Sequence, residues 1–307
     1  VIDPARPRAP AGRDRAARRG GRADEPAGGL DPAWRNWPLE RLEREYSPSS
    51  CVPAIGPFID AYRSHSARAH AALPCVRLRY GEPADEGVDL FPAGAGAALL
   101  VFVHGGYWQE LSARDSAFGA GQCVPRGIAW AAVDYTLAPQ ASLARIVDQC
   151  RRAIGLVIAR AGEFGCDPGR VWLAGSSAGA HLAALAMDGA AAPGAPRPAG
   201  AILLSGIYDL RPLVRTYVNR ALGLDEARAW ALSPLAAPPP GRWPALVAWG
   251  ENETASFVAQ SRAYARALGD RAETLQAPGR NHFDLVLDLG DPATPLGAAV
   301  AARLAAG

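Results

Sequence analysis

Apolar residues fall into two rhythms along this chain. Short continuous runs at Val76–Tyr80, Ala98–Val103, Gly127–Val133, Val171–Ala174, Ala201–Leu204, Ala245–Trp249 and Ala272–Gln276 have the length of strands buried on both faces. Between them, Ser142–Ala161, Ala178–Asp188, Ser256–Leu268 and Pro295–Leu304 read as helices, and an amphipathic helix is predicted around Phe58–Ala72. Buried strands alternating with helices predict the α/β class, with a mostly parallel central sheet covered by helices on both faces. No internal repeat interrupts this alternation.

The ends of the pattern set the domain limits. Residues 1–28 mix Arg, Ala, Gly and Pro without helical or strand period and are expected to form a disordered tail. Ordered structure is expected from Asp31, where Trp34, Trp37, Leu39, Leu42 and Tyr46 appear, so residues 29–307 read as one domain. The stretch Tyr208–Pro244 is too long for a simple connection. Together with residues 31–72 it is expected to build a small cap over an active site.

Composition narrows the function classes. At 307 residues, 49% apolar and 20% charged, the chain can bury a full core and resembles an ordinary globular protein. The net charge of +2, with its arginine excess gathered before residue 25, argues against a nucleic-acid or membrane surface. No lysine occurs, which we read as coding bias. Five scattered cysteines, Cys51, Cys75, Cys123, Cys150 and Cys166, form no C-x-x-C pair and suit a reducing cytoplasm better than a disulfide framework or zinc site. The sequence shows neither a secretory signal nor a run of the roughly 20 apolar residues that span a bilayer. A cytoplasmic enzyme acting on a small molecule, without cofactor or metal, is the expectation, and a homodimer is compatible with it.

The chemistry starts at Gly175-Ser176-Ser177-Ala178-Gly179, which joins a buried strand to a helix. Strand, sharp turn and helix around G-x-S-x-G form a nucleophile elbow, which exposes the hydroxyl of Ser177 at a helix N-terminus. Ser176, at the x position, is expected to point away from the base. Upstream, Leu99–Val103 runs into His104-Gly105-Gly106-Tyr107-Trp108, a loop suited to an oxyanion hole. The N–H groups of Gly106, Tyr107 and Ala178 are the expected donors, with Gly105 shaping the turn. His104 reads as a structural histidine, since a base so early would break the Ser, acid, His order.

Only His181 and His282 follow Ser177, and His181 lies one turn along the same helix. His282, in Gly279-Arg280-Asn281-His282-Phe283, is therefore the candidate base. The acid is expected after the strand Ala245–Trp249, where Glu251 and Glu253 are barely separable by spacing; Asp209 is a third candidate. His65 and His70 read as surface or lid residues.

With these residues in hand, the chain resembles the hormone-sensitive-lipase-like branch of the α/β-hydrolases, and within it the arylformamidases, or kynurenine formamidases. The resemblance lies in His104-Gly105-Gly106-Tyr107-Trp108, Asp134-Tyr135-Thr136-Leu137-Ala138-Pro139, Gly175-Ser176-Ser177-Ala178-Gly179-Ala180-His181-Leu182, Ser205-Gly206-Ile207-Tyr208-Asp209-Leu210 and Asn281-His282-Phe283. It runs from about Tyr46 to the C-terminus. It implies an α/β-hydrolase fold and metal-free hydrolysis of N-formyl-L-kynurenine to L-kynurenine and formate, in tryptophan breakdown. Matching Phe257 and Gln260-Ser261 to the family pattern puts the acid on Glu253, a glutamate where aspartate is more familiar. Trp108, Tyr208 and the segment Tyr217-Val218-Asn219 are the expected substrate contacts. The rival readings are a general carboxylesterase for short acyl or aryl esters and a catalytically inactive hydrolase fold used for binding.

Overall fold

A computed structural model describes residues 30–187, 197–238, 241 and 243–305. The expected tail at residues 1–28 lies outside the described residues. Eight strands form one sheet: β1 Val76–Arg79, β2 Gly87–Phe91, β3 Ala97–Val103, β4 Ile128–Val133, β5 Cys166–Ser176, β6 Gly200–Leu204, β7 Ala245–Asn252 and β8 Ala272–Asn281. The helices are α1 Leu39–Glu45, α2 Gly56–Ala72, α3 Ala120–Cys123, α4 Leu143–Arg160, α5 Ala178–Ala186, α6 Asn219–Leu222, α7 Glu226–Ala231, α8 Ala255–Leu268 and α9 Pro295–Ala305.

The strand order is β1-β2-β4-β3-β5-β6-β7-β8, with only β2 antiparallel to its neighbours. This is the α/β-hydrolase architecture that the motifs implied. In β3 the two-residue period splits a wholly buried strand between two cores. Leu99, Val101 and Val103 pack with α4, α5 and α8, while Leu100 and Phe102 pack with α2, α3 and α9. That division explains why the strands read as continuous apolar runs.

The strand β2 escaped the sequence reading. Its Gly87-Val88-Asp89-Leu90-Phe91 breaks the apolar run with a carboxylate. Asp89 is nevertheless buried, and Arg77 from β1 pairs with it at 2.9 Å. A charge can be buried in a sheet when an arginine reaching in from its surface pairs with it.

Parallel registers bring the C-terminal ends of the central strands together. Val103 lies opposite Gly175, and Ser176 opposite Leu204. The loops leaving β3, β5, β6, β7 and β8 therefore converge on one end of the sheet, where ligands bind in open α/β sheets.

Candidate active site

Ser177 caps α5 with φ 57° and ψ −119°, a backbone conformation that L-residues rarely adopt. Two glycines permit the strain. A Cβ on Gly175 would meet the Gly179 carbonyl oxygen at 2.3 Å, and one on Gly179 would meet the Val103 oxygen at 2.0 Å. The Ser177 N–H donates to the Leu204 carbonyl at 2.8 Å, which ties the turn to β6. The hydroxyl is thus presented at a helix N-terminus, where the backbone favours developing negative charge. Ser176 also borders the cavity, but of the two serines only Ser177 has a positive φ.

His282 follows β8 directly and is 6% exposed. Its Nδ1 lies 3.0 Å from Oε2 of Glu253, whose side chain is fully buried. The other oxygen of Glu253 accepts from the Ser205 hydroxyl and from the Gly250 N–H, both at 2.6 Å. A carboxylate so held can fix one imidazole tautomer and leave Nε2 to exchange a proton. Asn281 Oδ1 accepts the N–H groups of Phe283 and Asp284 at 2.8 and 3.2 Å, which shapes the histidine turn. The Tyr62 hydroxyl on α2 donates to the Phe283 carbonyl, and Phe58 stacks on the Phe283 ring.

The alternatives for the acid separate cleanly. Glu251 is exposed and accepts the Gly279 N–H at 2.8 Å, away from the imidazole. Asp209 is buried, but Arg211 claims both its oxygens, with the shortest contact at 2.7 Å. Thr254 caps α8 just after Glu253, and its hydroxyl donates to the Glu45 carbonyl at 2.7 Å. Gln260 accepts the N–H groups of both Tyr208 and Asp209 at 2.8 Å. Of the residues that placed the acid by resemblance, Gln260 thus braces the loop after β6, and Phe257 packs edge-on to the His282 ring at 4.6 Å.

The loop after β3 packs against the elbow so closely that a Cβ on Gly105 would lie 2.9 Å from the Ser176 oxygen. Gly106, Tyr107 and Trp108 follow with φ of 90°, 51° and 62°. Successive left-handed residues turn their N–H groups to one side, as an anion-binding concavity requires. The N–H groups of Gly106 and Tyr107 have no backbone acceptor among the described residues. That of Ala178 opens α5.

His104 is structural in its surroundings. Its Nδ1 contacts the Gly105 oxygen at 3.0 Å and its ring stacks on Tyr135. Burial opposes its protonation and lowers its pKa. His181 is fully buried with Nε2 at 2.8 Å from the Leu232 carbonyl, and burial lowers its pKa to about 4. His65 and His70 sit on α2 outside the cavity lining, with His70 3.7 Å from Asp89.

A cavity of about 250 Å³ opens over Ser177 and His282. Ile59 and Tyr62 of α2, Phe102, Phe118, Phe283 and Val286 give it an apolar wall. Both expected cap segments contribute, the first through Pro48, Ser49 and Ile55 and the second through Tyr217 and Val218.

Three expected substrate contacts are corrected. Trp108 is completely buried, edge-on to His181, because its positive φ turns the side chain into the core beneath the loop. Tyr208 is likewise buried and stacks on Tyr264 with ring centroids 4.2 Å apart. Asn219 ties off its own turn, bonding the Val214 and Leu224 carbonyls and the Leu224 N–H. None of the three lines the cavity. Sequence reasoning missed Ser205 as a support for the acid. Its signal was a small polar residue at the end of β6, directly before a glycine, where a φ of 49° turns the hydroxyl toward the neighbouring β7 loop.

Topology and elbow together make this chain a hydrolase of the α/β-hydrolase fold. A family model described as BD-FAE matches residues 91–191, which include the loop after β3 and the elbow. A Salmo salar kynurenine formamidase is 33% identical over 84% of this chain and 94% of its own length. A Danio rerio kynurenine formamidase is 32% identical with the same two coverages, 84% and 94%. The chain belongs to the kynurenine formamidase family. It is also similar to a solved structure from Silicibacter sp. TM1040, provisionally described as a thioesterase, at 29% identity and TM-score 0.76 over 85% of this chain and 98% of that one. No helix among the described residues is long and apolar enough to cross a membrane.

Proposed function

We propose that this protein hydrolyses N-formyl-L-kynurenine to L-kynurenine and formate through a formyl-enzyme on Ser177. The reading rests above all on the buried Glu253–His282 pair, whose histidine lines the same cavity as an elbow serine in a chain of this family. His282 Nε2 takes the Ser177 proton as Oγ attacks the formyl carbon. The N–H groups of Gly106, Tyr107 and Ala178 hold the oxyanion, an interaction that typically lowers such barriers by about 3–4 kcal/mol. Collapse breaks the carbon–nitrogen bond, and His282 returns the proton to the anilino nitrogen, which leaves as an amine. Water then attacks the formyl ester with His282 as base, releasing formate and restoring the serine hydroxyl. The apolar wall suits the aryl ring of the substrate. An odd, scattered set of free cysteines makes the cytoplasm the natural compartment for this reaction.

The test follows kynurenine formation by its absorbance with the purified protein, with Ser177→Ala as control. Turnover that vanishes in the variant supports the reading. Strong turnover of p-nitrophenyl acetate with negligible turnover of the formamide would replace it with a carboxylesterase.

A further inference from the structure

The cavity wall carries one carboxylate that the hydrolytic steps do not use. Glu110 lines the cavity on the loop that follows β3, and its N–H donates to the Gly106 carbonyl at 3.1 Å. Gly106 fits so tightly there that an added Cβ would lie 2.5 Å from the Glu110 carbonyl oxygen, so the backbone that carries this exposed residue is fixed against the loop of the oxyanion donors. The Glu110 side chain has no hydrogen-bond or ion-pair partner among the described residues. Among the described residues no arginine lines the cavity, although arginine is abundant in the chain. Of the two histidines there, His104 is kept neutral by burial and His282 is the base. Hydroxyls complete the wall. Ser47 gives its hydroxyl proton to the Glu43 carbonyl at 2.7 Å, so its 3.1 Å contact with Tyr217 has the phenol donating, and Ser49 lies on the same rim.

A cavity with an unpaired carboxylate and no cation favours a ligand that brings a positive charge. We infer that Glu110 sets substrate specificity by receiving the α-ammonium group of the substrate, so that the preferred substrates are formamides of aryl amines whose side chain ends in a protonated amine. The substrate carboxylate is then left to the Ser49 hydroxyl and to water at the mouth. This assignment rests on the formylkynurenine reading and refines it.

The experiment measures kcat/KM for N-formyl-L-kynurenine relative to formanilide, which carries no charge, and relative to the analogue with hydrogen in place of the α-amino group. In Glu110→Gln both ratios should fall about fivefold, the size of a partly exposed ion pair, mainly through KM. Glu110→Asp should recover part of the preference. Rising salt should lower the ratios in the unaltered protein but not in Glu110→Gln, and the first half of that measurement needs no variant. Unchanged ratios, an equal loss on all three substrates or salt-independent ratios in the unaltered protein would overturn the assignment while leaving formylkynurenine hydrolysis in place. Absence of formylkynurenine turnover in a protein that cleaves aryl esters would overturn the underlying reading, and the assignment with it.

Discussion

Replacing Glu253 by Gln keeps the shape of the side chain and reverses what half of it can do. In the native site both oxygens accept, from Ser205 and Gly250 at 2.6 Å and from His282 at 3.0 Å. A glutamine has one oxygen and one NH2 group, so at least one donor must face another donor in a fully buried setting. Either His282 is forced into the wrong tautomer, or the Ser205 and Gly250 donors lose their acceptor. The first outcome removes the base function and, by analogy with other triads, costs about 10⁴ in kcat. The second costs about 1–3 kcal/mol for each buried group left unpaired. We therefore expect Glu253→Gln to lower kcat by about 10³–10⁴ with little change in KM. Glu251→Gln keeps an amide oxygen that can accept the exposed Gly279 N–H and should stay within about threefold of the native rate, since even the whole of such a bond is worth about 0.5–1.5 kcal/mol of stability rather than of barrier. Steady-state rates on N-formyl-L-kynurenine, with circular dichroism to verify folding, decide the matter. Equal and small effects of the two substitutions would refute the assignment of the acid.

Ser205→Ala should lower kcat by about tenfold to a hundredfold at nearly constant KM. A hydrogen bond to a charged group is worth about 1.5–3 kcal/mol, and Gly250 still holds the same oxygen. An unchanged kcat would reduce Ser205 to a packing role. His181 makes stability depend on pH. Its folded pKa of about 4 lies below the ordinary 6.5, so between those values the unfolded chain binds the extra proton. Its contribution is fully present above pH 6.5 and is lost as pH falls toward 4, by about 3 kcal/mol at 1.36 kcal/mol per pH unit. Urea denaturation across that range should show a flatter pH dependence in His181→Gln than in the native chain, and identical slopes would contradict the burial argument.

The proposed reacting groups were legible because such chemistry forces local sequence. An elbow needs Gly175 and Gly179 where the chain passes within 2.0–2.3 Å of virtual side-chain atoms, so those glycines stand in the sequence beside the serine they serve. The order of serine, acid and histidine follows from strand order and singled out His282. What could not be read depends on side-chain direction. Glu251 and Glu253 are two residues apart at the end of β7, and only the bend after Gly250 sends one to the imidazole and the other to the Gly279 N–H. The aromatic residues failed for a related reason. Trp108 and Tyr208 sit in loops at the correct end of the sheet, yet each is turned inward to pack on His181 or Tyr264. For large aromatics, core packing competes with ligand contact, and chain position does not decide between them.

These misread aromatics help explain how the site stays organised. Trp108 fills the space below the loop after β3, against His181 of α5, so one contact ties the oxyanion loop to the helix that begins at the nucleophile. Tyr107, whose ring lies 6.0 Å from that of Trp108, donates to the Tyr46 carbonyl at 2.5 Å and links the loop to the segment that follows α1. Tyr46 in turn accepts from Gln260 on α8, the helix that starts after the triad acid. The loop after β3, the segment around Tyr46 and α8 are thereby joined through two adjacent residues that both have positive φ and whose rings lie 6.0 Å apart. Strain at Tyr107 and Trp108 is thus not confined to shaping the donor N–H groups. The two rings also anchor the loop, one to α5 and one to the Tyr46 carbonyl, so that the backbone between them is held where the formyl oxygen is proposed to bind.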